Sequence, residues 1–522
     1  MASARRTRRT LTVMVSPREG HGLAEASLAS VLADDALDFD LVYVDVLAPA
    51  TTAAALAAAC AAHGGVLVRH DAWVAPSVAR KAALARVETP YVLFIDNDVL
   101  VEPGCFARLV ACAQETGAGL VAPLYLEGDE RAASSIHMAG GVLVRDAAGR
   151  LEREEHELAH APLERAERLA RRQIDHAEYH CVLARTDFAR RPGVISEDVL
   201  LVHEHIDLAL KARELGFGVW LEPAARVNYA AAAGRRLGDL DFFRRRWDEA
   251  GCDASLAAFA RRWPIADPDA FFAGIRVFVR ERMARTSPLH PGAAGADRDL
   301  PMAPAELAQT RTALREQALG RGYGAVAARA LESACDFATL SFDGLYRADG
   351  RPFLNHAIGT ASALVRYDLR LDVVLAGLLH AAYTHRPPWI DPGEVTRVLA
   401  SGGADRIVLA LPAAKAQIAD GASAAQLTLT QAWALAIEAA NEADMLLSGE
   451  YRASGRPREI APRGLALLGD VLDRVGTPGL ATTAAAPAGE GAQGPLLGFS
   501  PLHGSFRLDA RNRRLEAVRV NR

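Results

Sequence analysis

Cysteine is scarce in this chain and never paired in sequence. The six residues, Cys60, Cys105, Cys112, Cys181, Cys252 and Cys335, are scattered, and no two form a C-x-x-C pair. That pattern indicates neither a zinc knuckle nor a disulfide framework, and a reduced, cytoplasmic compartment is the expectation. No apolar run approaches the ~20 residues that span a bilayer, and the apolar stretch Leu11–Val15 is too short for a signal-peptide core. An excess of positive charge is also missing. The net charge is −5, which argues against a broad nucleic-acid footprint. The one basic cluster, Arg5, Arg6, Arg8 and Arg9, reads as a solvated N-terminus. No internal repeat is present.

What is there is ordinary globular material, half of it hydrophobic, in a length of 522 residues that implies more than one core. The first half alternates strand and helix signals. Strands are expected at Leu11–Ser16, Asp40–Val46, Val66–Arg69, Tyr91–Ile95 and Gly119–Pro123. Helices are expected at Gly22–Leu32, Thr51–His63, Pro76–Val87 and Pro103–Thr116. Such alternation predicts a parallel sheet covered on both faces. It is Rossmann-like, but no G-x-G-x-x-G follows the first strand, which disfavours a dinucleotide fold. The charged segment Leu151–Ile174 reads as a helix. A strand around Tyr179–Arg185, a helix at Glu204–Leu215, a strand at Gly218–Glu222 and a helical, aromatic and basic stretch at Asp241–Trp263 follow.

Ser287–Pro304 is rich in Pro, Gly and Ala and reads as a linker. Beyond it strand signals fade and helical ones take over, from Ala305 to Gly449, so residues 305–475 are expected to form an all-α domain. In the tail, residues 476–522, Ala481–Gly498 is low-complexity and expected to be disordered. Gly504–Val520 alternates weakly, as a short hairpin would.

The stretch Tyr91-Val92-Leu93-Phe94-Ile95-Asp96-Asn97-Asp98 runs five strand-forming residues into two carboxylates. A buried strand ending this way delivers both carboxylates to the sheet's carboxyl edge, where open α/β sheets bind ligands. Hard oxygen ligands there suit Mg²⁺ or Mn²⁺ bridging a diphosphate. Other blocks surround it in order: Val15-Ser16-Pro17, Asp45, Ala79-Arg80-Lys81, Tyr179–Arg185, the helix Val202-His203-Glu204-His205-Ile206-Asp207-Leu208 ending in Gly216, Glu222–Tyr229, and Phe242–Trp247.

In these blocks residues 1–286 resemble a family 2 glycosyltransferase of the GT-A fold. The resemblance implies a Rossmann-like mixed sheet and a metal-dependent, inverting transfer of sugar from a nucleotide-sugar donor to a hydroxyl acceptor. Pro17, Asp45, Arg80, Asp96 and Asn97 would bind the donor, and Asp98 with Asp96 would hold Mn²⁺ or Mg²⁺. The catalytic set would be His205, Glu204 and Asp207. The family's usual base Asp is replaced by His205, whose imidazole titrates near neutrality, and Glu204 is the other candidate base. The family's downstream His is replaced by Tyr229. His137, beside Gly140-Gly141, is placed near the acceptor cleft and reads as part of a turn. A non-catalytic sugar- or nucleotide-binding protein is the rival reading.

In the second half, Arg351–His356, Ala376–Ala381 and Asp444 follow the ligand order of HD-type phosphohydrolases. The region resembles an HD-like helical domain. Ala381 stands where the metal-binding Asp belongs, so His356, His380 and Asp444 are expected to be a vestigial site, with His385 one turn along. A phosphohydrolase in this half is the third reading.

Overall fold

The computed structural model describes residues 9–487, without 130, 231–235, 291, 294, 421, 456–457, 459 and 461, and the strand segments 505–509 and 514–517. Arg5, Arg6 and Arg8 lie outside the described residues. The chain divides into two compact units, Met1–Met283 and Ala284–Arg522.

Unit 1 opens with β1 (Leu11–Ser16), α1 (Ala24–Ala33), β2 (Phe39–Val46), α2 (Ala50–His63), β3 (Val66–His70), α3 (Pro76–Ala83), β4 (Tyr91–Asp96), β5 (Val99–Val101) and α4 (Cys105–Thr116). It continues with β6 (Leu120–Gly128), β7 (Ala133–Met138), β8 (Gly141–Arg145), β9 (Leu151–His156), β10 (Arg172–Gln173), β11 (Cys181–Arg185) and α5 (Thr186–Ala189). The last elements are α6 (Glu204–Glu214), β12 (Val219–Tyr229), α7 (Leu240–Arg246), α8 (Glu249–Arg262) and α9 (Pro268–Thr286).

The main sheet runs β10-β12-β6-β11-β4-β1-β2-β3, with β5 on β12 and β7 on β6. Strands β3, β2, β1 and β4 are parallel, as the alternation predicts. Beyond β4 the sheet is mixed, because β11 inserts antiparallel between β4 and β6. Alternation cannot reveal this insertion, since β11 arrives from a part of the chain without intervening helix.

The segment Leu151–Ile174 is not a helix. Its first residues form β9, paired antiparallel to β8, followed by a 3₁₀ turn at Leu163–Arg168 and the short β10. Cross-strand pairing with β8 outweighs the helix propensity of the segment's Glu and Arg residues. The stretch Asp241–Trp263 is two helices, α7 and α8, broken at Trp247-Asp248. Asp248 caps α8 by accepting the Gly251 N–H.

Unit 2 comprises α10 (Arg311–Gly320), α11 (Ala325–Ser341), β13 (Leu345–Arg347), α12 (Phe353–Arg366), α13 (Leu371–Leu378), α14 (Ala382–His385), α15 (Pro392–Ser401) and α16 (Asp405–Asp420). After these come α17 (Leu429–Leu447), α18 (Glu450–Ser454), α19 (Pro462–Arg474), α20 (Pro478–Ala485), β14 (Ser505–Asp509) and β15 (Arg514–Ala517). It is predominantly helical but not all-α: the hairpin β14–β15 adds to β13 as a three-stranded sheet. The expected linker is part of this unit, with Leu289 bridging Leu369 and the Met302 N–H donating to Thr483 Oγ1. The start of the low-complexity tail is also ordered, since α20 buries Leu480, Thr483 and Ala484. Residues 488–504 lie outside the described residues. Helices α12 and α17 are buried almost all round, and they touch at Gly359. A Cβ there would lie 1.9 Å from Asp444 Oδ1.

Candidate functional site

Strand β4 lies between β1 and β11, and its register sets the site. Ser16 is level with Asp96, and Ile95 pairs with Cys181. The Asp96 N–H therefore donates to the carbonyl of His180, the residue just before β11. Asp96, Asp98 and His180 bring ligand atoms within 4.8 Å of one another, and all three are buried.

Asp96 is heavily engaged. Arg80 donates to it at 2.5 Å, His180 Nδ1 lies 3.1 Å away, and Arg18 Nε is 3.6 Å off. Burial alone would raise its pKa, but Arg80 and His180 hold the carboxyl below its usual range. Arg80 also donates to Ser16 Oγ and stacks 4.2 Å over the Tyr179 ring. Arg80 is thus an internal partner of Asp96, fully buried, rather than a guanidinium open to solvent. Asp98 differs. Its Oδ1 is buried without a hydrogen-bond partner, and burial beside Asp96 pushes its pKa up to about 7. A carboxylate starved of compensation, next to a second carboxylate and an imidazole, fits a divalent cation. The oxygens suit Mg²⁺ or Mn²⁺.

The remaining expected donor residues share this sheet edge but have internal duties. Asn97 staples the loop after β1: its Oδ1 accepts the Arg18 N–H and its Nδ2 donates to the Gly20 carbonyl. Pro17 is buried in that loop. Asp45 accepts the Ala48 N–H at 3.0 Å and pairs with Arg69.

On the opposite side, α6 begins at Glu204. Arg18 Nη1 donates to Glu204 Oε1 at 3.1 Å, so a single guanidinium links Glu204 to Asp96. Glu204 Oε2 is buried and unpartnered. His205 packs 5.7 Å from the His176 ring, its Nε2 is unpartnered, and burial holds its pKa well below the ordinary value. Asp207 requires a correction to its catalytic assignment. Its oxygens accept from Lys211, Arg262 and the Trp263 indole at 2.8 Å, so it locks α6 against α8 and has no capacity left for substrate.

His203, just before α6, has a φ of 61° and lies among Phe259, Phe271 and Phe272. Burial lowers its pKa from 6.5 to about 4. Between these values the unfolded chain carries the extra proton, so stability is intact above pH 6.5 and falls as the pH drops toward 4, by up to about 3 kcal/mol. His203→Asn, which tolerates the left-handed backbone, is expected to lose less melting temperature than wild type between pH 7.5 and 5 in calorimetry. Equal losses would exclude this contribution.

Residues that sequence reading missed lie beside Asp96. Glu178 takes His137 Nε2 and His180 Nε2, each at 3.0 Å. Burial would raise its pKa, but His180 and His137 hold it well below the usual range. The His180 ring stacks 4.0 Å from Tyr229, the residue standing in for the family's downstream His. His180 was visible only as a strand-edge residue, and nothing in its spacing marks it as a neighbour of Asp96. His137 is no mere turn residue: it lies on β7, between Glu127 and Glu178.

In unit 2, the expected vestigial residues do come together. His356 Nδ1 lies 2.6 Å from Asp444 Oδ2, and the His356 and His380 rings are 5.4 Å apart. Both Asp444 oxygens also accept from Arg351, and Gln309 donates to Oδ1. A guanidinium thus supplies the positive charge that a metal would bring, which does not fit a metal site here. His380 Nδ1 bonds the Gly377 carbonyl, and His385 stacks on Phe353.

A mixed sheet with paired carboxylates at the carboxyl end of a central strand is consistent with a GT-A fold. Residues 18–156 match the family model described as "Glycosyl transferase family 2". No curated protein matches the chain. The solved structure described as "Crystal structure of GalNAc-T7 with UDP, GalNAc and Mn2+" aligns at 15% identity with a TM-score of 0.35. The alignment covers 53% of this chain and 55% of that one, so this chain spans about half the length of that relative. Among the described residues, no helix is long and apolar enough to cross a membrane.

Proposed function

We propose that unit 1 transfers a sugar from a nucleotide-sugar donor to a hydroxyl acceptor, with a divalent cation and with inversion. The observation that carries this reading is Asp98. Its buried, unpartnered oxygen lies at the end of β4, inside the stretch that matches the glycosyl transferase family model. Asp98 would hold Mn²⁺ or Mg²⁺, with His180 and Asp96 beside it. A bound cation would neutralise charge developing on the departing diphosphate. Arg80 and His180 keep Asp96 ionised and fixed in place. Glu204 is the preferred base, because Arg18 ties it to Asp96 while its buried Oε2 has no hydrogen-bond partner and would take the acceptor's proton. His205 packs toward His176 instead. One base and no covalent intermediate correspond to inversion.

The test is a thermal-shift screen of the whole chain with UDP-, GDP- and dTDP-sugars, with and without Mn²⁺. One nucleotide series is expected to raise the melting temperature, and only with the cation. If no donor does so, the reading fails. Stabilisation without any transfer or donor hydrolysis would indicate a binding protein instead.

A further inference from the structure

We infer a second divalent-metal site in unit 1, built by His137, His156 and Glu178, of the zinc class. It goes beyond the transfer reading and uses neither Asp98 nor Glu204; Glu178 is the one member that also touches that site, through His180 Nε2 at 3.0 Å. The three ligands come from three places: His137 from β7, His156 from the end of β9, and Glu178 from the segment between β10 and β11. Their ligand atoms all lie within 4.8 Å of one another. His137 Nε2 is 3.0 Å from Glu178 Oε2, and His156 Nε2 is 3.7 Å from Glu178 Oε1. Two ligands bound tetrahedrally at ~2.1 Å stand about 3.4 Å apart. The observed separations bracket that value, and the longer one is beyond hydrogen-bonding reach.

The surroundings are those of a ligand set. His137 turns its other nitrogen, Nδ1, to Glu127 Oε2 at 3.3 Å, and Glu127 is in turn held by Ser135 and His160. A carboxylate behind a ligating imidazole fixes the ring's orientation and tautomer. The buried His176 packs 5.7 Å from His156, and both of its ring nitrogens lack a partner. Gly141 admits that ring: a Cβ there would lie 2.0 Å from His176 Nε2. Glu154 Oε2 is a third buried, unpartnered atom in this neighbourhood. So much unmet hydrogen-bonding capacity beside two imidazoles and a carboxylate points to an ion. Two nitrogens and one oxygen select Zn²⁺ over the oxygen-seeking Mg²⁺ or Ca²⁺. A cation here would brace β7 and β9 against the segment that carries His180 to Asp96.

The test uses the full chain, stripped of metal by a chelator and titrated with Zn²⁺ in the absence of nucleotide. Calorimetry gives stoichiometry and affinity, and Co²⁺ absorption reports the coordination. Asp98→Ala is expected to bind one equivalent, and wild type at least one. His156→Gln should bind at least tenfold more weakly, and Glu127→Gln ~10–100-fold more weakly through loss of the orienting contact. His156 is partly exposed, so its variant is expected to keep the wild-type circular dichroism. Absence of stoichiometric binding by wild type would overturn the site and leave a purely hydrogen-bonded cluster. Binding that Asp98→Ala abolishes and His156→Gln spares would overturn it too, moving the ion to Asp96 and Asp98.

Discussion

Asp98→Ala is expected to abolish the cation-dependent thermal shift with donor and to cut sugar transfer by ~10²–10³-fold. The protein should nevertheless fold normally. The Asp98 side chain leaves one oxygen unpartnered, and the Ala230 N–H is held by its backbone carbonyl, which alanine retains. Removing a carboxyl whose pKa burial has pushed up to about 7 also removes a desolvated group, so the melting temperature without ligand should hold or rise. Asp96→Ala is the contrast. It strands the buried Arg80, which has no other carboxylate on its guanidinium among the described residues, and should cost about 3–5 kcal/mol of stability. Transfer by Asp98→Ala at wild-type rate, with its Mn²⁺ dependence unchanged, would remove Asp98 from the site.

Glu204→Gln is expected to lower kcat by ~10²–10⁴-fold while leaving donor-induced stabilisation intact. Glutamine can still accept from Arg18 through its remaining oxygen, so the link from Arg18 to Asp96 survives. The unpartnered Oε2, however, is replaced by an amide nitrogen that cannot take a proton. His205→Ala, by the same reasoning, should keep most of its turnover. Steady-state kinetics on both variants decides the matter: loss in His205→Ala with retention in Glu204→Gln would make the imidazole the base. A loss seen only in KM for Glu204→Gln would make that residue a binding group.

Much of the sheet edge around Asp96 and Asp98 was legible because it is local. Five apolar residues followed by Asp-Asn-Asp specify a buried strand and its polar end with no help from the rest of the chain. The parallel set β1 to β4 follows from strand–helix alternation. Legibility fails where partners are distant in sequence. His180 is 84 residues from Asp96, and Glu178 is 41 from His137, so no spacing rule links them. The failure at Leu151–Ile174 has the same origin. Its charged residues favour helix locally, and only β8, lying alongside, makes a ribbon of it. Asp207 misled for a related reason. It matched a motif position, yet α8 supplies Arg262 and Trp263 to consume its oxygens.

By itself the sequence determined the alternating first half, the helical second half and the place of the paired carboxylates, because hydrophobic periodicity and turn chemistry act over a few residues. Tertiary structure alone decided what each carboxylate does. Asp96 and Asp98 are chemically alike and two positions apart, yet Arg80 and His180 converge on the first while the second keeps an unpartnered oxygen. Charge state and ligand capacity depend on burial and on which partners the fold brings within about 4 Å, and both are properties of the assembled sheet rather than of any segment.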